Sequence, residues 1–243
     1  MKARIRRLVK LILSTLHIDI TRNMRYDRQT LAIMKQLTKA DSNCIDIGCH
    51  RGDVLRMMLH VSPKGRHFAF EPIPDLHREL LKEFSSDNIL VSAAALSNEK
   101  GRASFNVVNN DLGYSGLKKR RYDIPNPDIS EVPVDTDRLD DVIPSDIKID
   151  FIKIDVEGAE YPVLRGGVQT LKRCKPSIVF ECGLGSSEFY GTTPKMVHDL
   201  LTGECGLKLY TLSDWLNGKH ELSLEEFTDI FETNREYYFL AHP

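Results

Sequence analysis

The sequence predicts an α/β fold built on a mostly parallel, doubly wound sheet. Three observations predict it. Short apolar runs alternate with stretches of helical periodicity along most of the chain. Acidic residues recur where those runs end, at Asp46, Glu71, Asp155 and Glu181, and in such sheets ligands bind beyond the carboxyl ends of the strands. The 243 residues, 41% hydrophobic and 28% charged, suffice for one full-sized domain. No Gly/Ser/Pro-rich linker, internal repeat or low-complexity tract divides them.

In chain order, residues 26–39 read as a helix with Leu31, Met34 and Leu37 apolar. Residues 43–47 are a short buried strand that runs into Gly48, and a helix follows over 54–61. A second strand, 66–70, ends at Glu71-Pro72. Asp75 can cap a helix over 76–84, and 88–94 is a third strand. Parallel strands joined through helices take right-handed crossovers. The middle departs from this rhythm. Residues 103–108 and 131–136 alternate like strands around a polar loop, 109–130, that carries Lys118-Lys119-Arg120-Arg121. We expect a hairpin-like insertion with a long loop, and loops of that length are usually functional or disordered. The alternation then resumes: a strand over 149–154 ends at Asp155, and a helical stretch over 161–174 breaks at Gly166-Gly167. A strand over 177–180 leads to Glu181, and 193–202 is a helix. Residues 207–212 and 236–241 close the chain as two strands, a pair that suits an antiparallel edge on a parallel sheet.

Charge is unevenly placed. Residues 1–30 hold eight basic side chains (Lys2, Arg4, Arg6, Arg7, Lys10, Arg22, Arg25, Arg28) against Asp19 and Asp27, so a +6 start precedes a -8 body in a chain of formal net charge -2. The apolar run 8–13 is interrupted by Lys10 and falls short of the roughly 20 residues that span a bilayer. No small-residue cleavage site follows it. Ile5, Leu8, Ile12 and Leu16 recur at helical spacing, which describes an amphipathic helix. Such a helix either docks on its own domain or touches an anionic membrane peripherally, through residues 1–18. The basic residues lack interleaved aromatics, so nucleic acid is not an expected partner. The five cysteines are odd in number and show no C-x-x-C spacing. Neither a disulfide framework nor a zinc site is suggested, and reduced thiols fit a cytoplasmic protein.

The turn Asp46-Ile47-Gly48-Cys49-His50-Arg51-Gly52-Asp53 is the candidate cofactor seat. A dinucleotide would need G-x-G-x-x-G, so that backbone can touch the pyrophosphate. Counting from Gly48, the second and third glycine positions hold His50 and Asp53; one adds bulk and the other repels phosphate. The Walker pattern is also absent. S-adenosylmethionine asks for different groups. Glu71, about twenty residues after the turn, is spaced to grip a ribose diol through charge-assisted hydrogen bonds. Asp46, Asp53 and Asp155 can offset a sulfonium and an amino group, and a helix N-terminus can take the carboxylate of the methionine part. A glycine turn with no ligand explains Gly48 and Gly52 alone, but not the acids in register with them.

At these residues the sequence resembles the FkbM-type methyltransferases, a branch of the class I S-adenosylmethionine-dependent enzymes. The resemblance rests on the turn, on Phe70-Glu71-Pro72, on Ala94-Ala95-Leu96-Ser97 with Gly101, and on Thr136-Asp137-Arg138-Leu139-Asp140. Its most specific part is Ile149-Asp150-Phe151-Ile152-Lys153-Ile154-Asp155-Val156-Glu157-Gly158-Ala159-Glu160, with Val163-Leu164-Arg165-Gly166-Gly167 after it. It covers the chain from about residue 43 onward. It implies a Rossmann-like sheet of seven strands with an antiparallel last strand, forming a methyltransferase domain over 41–243 behind a basic helical extension, 1–40. It also implies O-methylation, often of saccharide or secondary-metabolite hydroxyls. By position, Asp46, Ile47, Gly48, Cys49, His50 and Gly52 would hold the methionine part. Asp53 flanks them, Glu71 and Pro72 would meet the ribose, Ala94 and Ala95 the adenine, and Asp155 the reacting methyl. The chain departs from the family at Cys49 and His50, where a small residue followed by Asn is usual.

Methyl transfer to oxygen requires alignment of two reactants and removal of a hydroxyl proton. Asp155 is the first candidate for positioning or general base, followed by Glu157 and Glu181, with His198 behind them. Glu157 and Glu160 have a structural alternative as helix caps, and His198 as a helix-surface residue. Carboxylates in this number could also hold Mg²⁺, which prefers oxygen ligands; sequence leaves the metal open. The basic loop residues Lys118 to Arg121 are either solvated or a grip on an anionic acceptor. The alternative to catalysis is a methyltransferase fold retained as a silent binding module.

Overall fold

The computed structural model describes residues 21–243; the amphipathic stripe and membrane contact expected over residues 1–18 lie outside the described residues. Among the described residues no helix is long and apolar enough to cross a membrane.

Helix α1 (Arg22–Leu37) begins at Thr21, whose hydroxyl accepts from the Met24 N–H at 3.2 Å. Then follow β1 (Cys44–Ile47), α2 (Asp53–Val61), β2 (His67–Phe70), α3 (Pro74–Glu83) and β3 (Ile89–Ser92). The middle of the chain is β4 (Ala95–Leu96), β5 (Gly101–Val108) and β6 (Ile129–Asp137). After a short α4 (Leu139–Val142) come β7 (Phe151–Ile154), α5 (Glu160–Gly166), α6 (Val168–Cys174) and β8 (Ser177–Glu181). Helix α7 (Pro194–His198) runs on into a π-helical turn, Asp199–Glu204. The chain closes with β9 (Lys208–Thr211), α8 (Leu212–Leu216), α9 (Leu224–Thr233) and β10 (Tyr238–His242).

Seven strands form one sheet in the order β3-β2-β1-β7-β8-β10-β9. All neighbours pair in parallel except β10, which is antiparallel to β8 and to β9. The last strand is therefore the reversed one, but it does not lie at the edge. It inserts between β8 and β9 because Phe239, Leu240 and Ala241 are fully buried on both of its faces. The expected middle insertion is a second sheet, β4-β6-β5, in which β5 and β6 pair from Gly101↔Thr136 to Val108↔Ile129.

Successive strand residues point to opposite faces, and the two faces have separate cores. Ile45, Ile47, Phe68, Phe70, Ile152, Ile154 and Phe180 pack against α5, α6, α7 and α9 through Val163, Leu171, Val197 and Phe227. Cys44, Ala69, Phe151, Val179 and Leu240 face the other way, toward Ile33 and Met34 of α1 and Leu55 and Met58 of α2. Strands buried on both faces read as continuous apolar runs, so the polar residues at their carboxyl ends stand out. All five cysteines are free and buried.

Candidate functional site

The carboxyl ends of β1, β2, β7 and β8 open onto one cavity of about 630 Å³. Its floor is the turn after β1. The N–H groups of Gly48 and Cys49 both donate to the Phe70 carbonyl, at 3.0 and 3.1 Å, which folds the turn back over β2. Gly48 has φ +76°, and a Cβ there would lie 1.8 Å from the Asp155 carbonyl oxygen. Only glycine permits that approach of β1 to β7. His50 is also left-handed, at φ 47°. Asn and His both adopt that region more readily than most residues. Burial holds the His50 imidazole below the ordinary histidine range.

Glu71, 4% exposed, braces this turn. Its Oε2 accepts from the His50 N–H at 2.8 Å and its Oε1 from the Ile73 N–H at 2.9 Å. Each oxygen keeps one lone pair toward the cavity. Burial pushes the carboxyl up to about 7, against the pull of those two N–H groups.

Ile47, Gly48, His50, Pro72, Ala94 and Ala95 line the same cavity, as do Asp155, Glu157 and Glu181. Asp46, Cys49 and Asp53 face a smaller adjoining recess of about 100 Å³, shared with Gly48, His50, Asp155 and Lys153. Gly52 lines neither; a Cβ there would press into the Phe84 ring at 2.6 Å. Asp46 is buried, its Oδ2 has no hydrogen-bond partner, and it lies opposite Lys153 in the β1–β7 register. Burial pushes its carboxyl up to about 7, with the Lys153 charge opposing.

Lys153, 4% exposed, is the counter-charge of the site. Its Nζ donates to Asp155 Oδ2 at 3.1 Å, and the Tyr238 hydroxyl donates to the same oxygen. Asp155 also shares a hydrogen bond with Glu181. Burial opposes ionisation of Asp155, but the Lys153 charge and these hydrogen bonds outweigh it and hold the carboxylate below its ordinary range. Burial and the charges of Asp155 and Glu160 push Glu181 well above its own. The shared surroundings thus favour the ionised form of Asp155 and the protonated form of Glu181.

Asp155, Glu157 and Glu181 each bring an oxygen to within 4.8 Å of the others. Glu157, at φ 58°, turns its side chain to the Arg120 guanidinium rather than to a helix end. Glu160 does not cap the helix it begins: its Oε1 accepts from the loop N–H groups of Val156 and Gly158, at 3.0 and 3.2 Å, and so braces the turn after β7. His198 sits on α7 beside Thr202, 3.2 Å away, and does not line the cavity. The loop after β5 forms a wall. It is tied to the segment after β8 by Lys118 N–H to Tyr190 Oη, 2.8 Å, and Arg121 N–H to the Gly185 carbonyl, 3.0 Å.

Sequence reading missed Lys153, Tyr238 and Arg22. Lys153 left a signal, a lone cation inside the apolar run Phe151-Ile152-Lys153-Ile154. Tyr238 and Arg22, at opposite ends of the chain, left none.

A family model described as the methyltransferase FkbM domain matches residues 46–209. The chain is 30% identical over 174 residues to the 2-O-methyltransferase NoeI of Sinorhizobium fredii (strain NBRC 101917 / NGR234), covering 64% of this chain and 68% of that protein. The crystal structure of methyltransferase FkbM from Methylobacillus flagellatus KT shares the fold, with TM-score 0.53 and 16% identity over 84% of this chain. This chain spans 44% of that one. With the matched segment running from the Asp46 turn through β9, the chain belongs to the FkbM methyltransferase family.

Proposed function

We propose that the chain is an S-adenosylmethionine-dependent O-methyltransferase whose acceptor is a hydroxyl of a saccharide or secondary metabolite. The observation that carries this is the single cavity joining Glu71 at the end of β2 to the Asp155–Glu181 pair at the ends of β7 and β8. The name of the 2-O-methyltransferase relative supports oxygen as the target.

The residues present fit the cofactor. Glu71 has two lone pairs left for a diol. Asp46 offers a buried carboxylate oxygen with no partner, suited to a cationic group. The Gly48 turn brings backbone close, and Ala94 and Ala95 form a small-residue wall for a flat base. When bound, S-adenosylmethionine supplies an electrophilic methyl group. The chain's own part is orientation and proton removal. Lys153, Tyr238 and Glu181 fix the Asp155 carboxylate at the cavity wall, where it accepts the proton of the acceptor hydroxyl. Burial and the neighbouring Asp155 charge favour the protonated form of Glu181. Asp155 is matched by Lys153 and Glu157 by Arg120, so charge balance in the site requires no Mg²⁺.

Calorimetric titration with S-adenosylhomocysteine tests the proposal. The wild type should bind, and Glu71→Gln should bind about tenfold more weakly or worse, since a charge-assisted hydrogen bond contributes roughly 1.5–3 kcal/mol. Absence of binding by folded wild type, or an unchanged Kd in Glu71→Gln, would overturn it. Binding without methyl transfer across a broad panel of hydroxyl acceptors would mark the silent module instead.

A further inference from the structure

Beyond its acidic inner wall the cavity has an outer part to which elements on both sides of the family match contribute. Arg22 and Asn23 reach it from α1, and Asn234 and Tyr237 from the segment before β10. Arg121 enters from the loop after β5. The Arg22 guanidinium lies over the Tyr237 ring, 4.6 Å from its centroid. It donates to two main-chain carbonyls, Asn234 at 3.3 Å and Arg235 at 2.5 Å. Among the described residues it pairs with no carboxylate, and its Nε–H has no protein acceptor. Stacking on Tyr237 and hydrogen bonds to two carbonyls and the Tyr26 hydroxyl thus preset the guanidinium plane, and among the described residues none of these contacts supplies a counter-charge.

Arg121 is held in a comparable way. Its guanidinium rests on the bare Cα of Gly185, where a Cβ would come within 3.0 Å of Nη2. Its only carboxylate neighbour among the described residues is Asp123, 3.5 Å away with both side chains more than half exposed. Exposed pairs of that kind hold little energy and give way to a better partner. Arg120 is different, because Glu157 already matches it.

We propose that this outer part is a subsite for an oxyanion on the acceptor, a carboxylate, sulfate or phosphate carried by a sugar, gripped by Arg22 and Arg121. The proposal rests on reading the cavity as that of a saccharide O-methyltransferase. The two halves of the cavity then act together. The Asp155 carboxylate repels the anion from the inner wall while the two arginines hold it at the outer one. The acceptor is turned so that a neutral hydroxyl, not its charged group, meets Asp155.

The test is saturation-transfer NMR with glucuronate, glucose 6-phosphate and glucose, in the presence of S-adenosylhomocysteine. The wild type, Arg121→Gln, Arg22→Gln and Arg22→Lys are compared. At least one anionic sugar should bind about tenfold tighter than glucose. That preference should vanish in Arg121→Gln and Arg22→Gln and return in part in Arg22→Lys. Preference for glucuronate names a carboxylate as the recognised group, and preference for glucose 6-phosphate a phosphate. Equal affinity for all three sugars, or unchanged anion preference in both Gln variants, would overturn the subsite. If Arg22→Gln fails to fold, Arg121→Gln, on an exposed side chain, decides. Titration of S-adenosylhomocysteine on the same wild-type sample separates the two readings. Cofactor binding without anion preference sinks only the subsite, whereas lost cofactor binding sinks the methyltransferase reading.

Discussion

Asp46 and Lys153, both buried, and the half-buried Asp155 form a row of alternating charge at the ends of β1 and β7. Buried carboxylates are costly unless paired, and Lys153 stands beside both acids with one ammonium. Asp155 takes its hydrogen bond; Asp46 is left with an unpartnered oxygen and a carboxyl pushed up to about 7. The consequence for stability has a definite sign. A carboxyl whose folded value exceeds its ordinary 3.8 favours folding while protonated, and that contribution is lost as pH rises toward 7. Glu71 and Glu160, both pushed up to about 7 from 4.5, act in the same window. Asp46→Asn should therefore gain on the wild type as pH is raised from about 5 to 8, by about 2 kcal/mol. Urea unfolding at the two pH values measures it, and an equal pH dependence in both proteins would contradict it. The same groups tie ligand to proton. A cationic ligand favours ionised Asp46 and Glu71, so S-adenosylmethionine should release protons on binding near pH 7. Titrations in buffers of different ionisation enthalpy would read this directly.

At the scale of elements, the site depends on how closely β1 and β7 approach where both end. Two strands side by side would ordinarily diverge at their loops. Here Asp155 N–H donates to the Ile47 carbonyl at 3.0 Å, and the backbone of Gly48 lies against the Asp155 carbonyl. Gly48→Ala adds a methyl 1.8 Å from that oxygen, in a left-handed conformation. It should cost about 3 kcal/mol or more. Since about 2–4 °C is lost per kcal/mol in a domain of this size, melting should fall by roughly 10 °C. A variant that melts with the wild type would show that the strands can separate freely. The interior place of β10 matters for the same reason. Set beside β8, it brings the Tyr238 hydroxyl onto Asp155, which an edge strand beyond β9 could not do.

On the scale of the whole molecule, the cavity is closed by the two ends of the described chain holding each other. Arg25 pairs with Glu236 at 2.6 Å, the Tyr237 hydroxyl donates to Asn23 Oδ1 at 2.6 Å, and Tyr26 stacks against Tyr237 and Tyr238, each 4.8 Å away. Tyr26, Ile33 and Met34 are buried against the sheet. Helix α1 is thus part of the core as well as of the cavity rim. Each of these side chains contributes roughly 1.5–3 kcal/mol by burial. A chain beginning at residue 41 should therefore melt at least 10 °C below one beginning at residue 21. Calorimetry of the two chains would check this, and equal melting would show α1 to be an appendage.

The sequence by itself determined most of the alternation of strands and helices, the glycine turn after β1 and the acids at the strand ends, but not α8 and α9, which fill the stretch between the two closing strands. These are local facts: apolar runs, a glycine where a turn must tighten, and a carboxylate where an apolar run stops. Glu71, Asp155 and Glu181 were legible for that reason, and so was the mid-chain hairpin. Only the tertiary structure decided the rest. It placed β10 inside the sheet, set Glu160 on the turn after β7 and turned Glu157 to Arg120. It also set Lys153 and Tyr238 on Asp155, and Arg22 over Tyr237 at the cavity rim. Most of these pairings join residues far apart in the chain, between side chains whose types carry no local signature. Their partners follow from strand order and register, which a one-dimensional pattern does not contain.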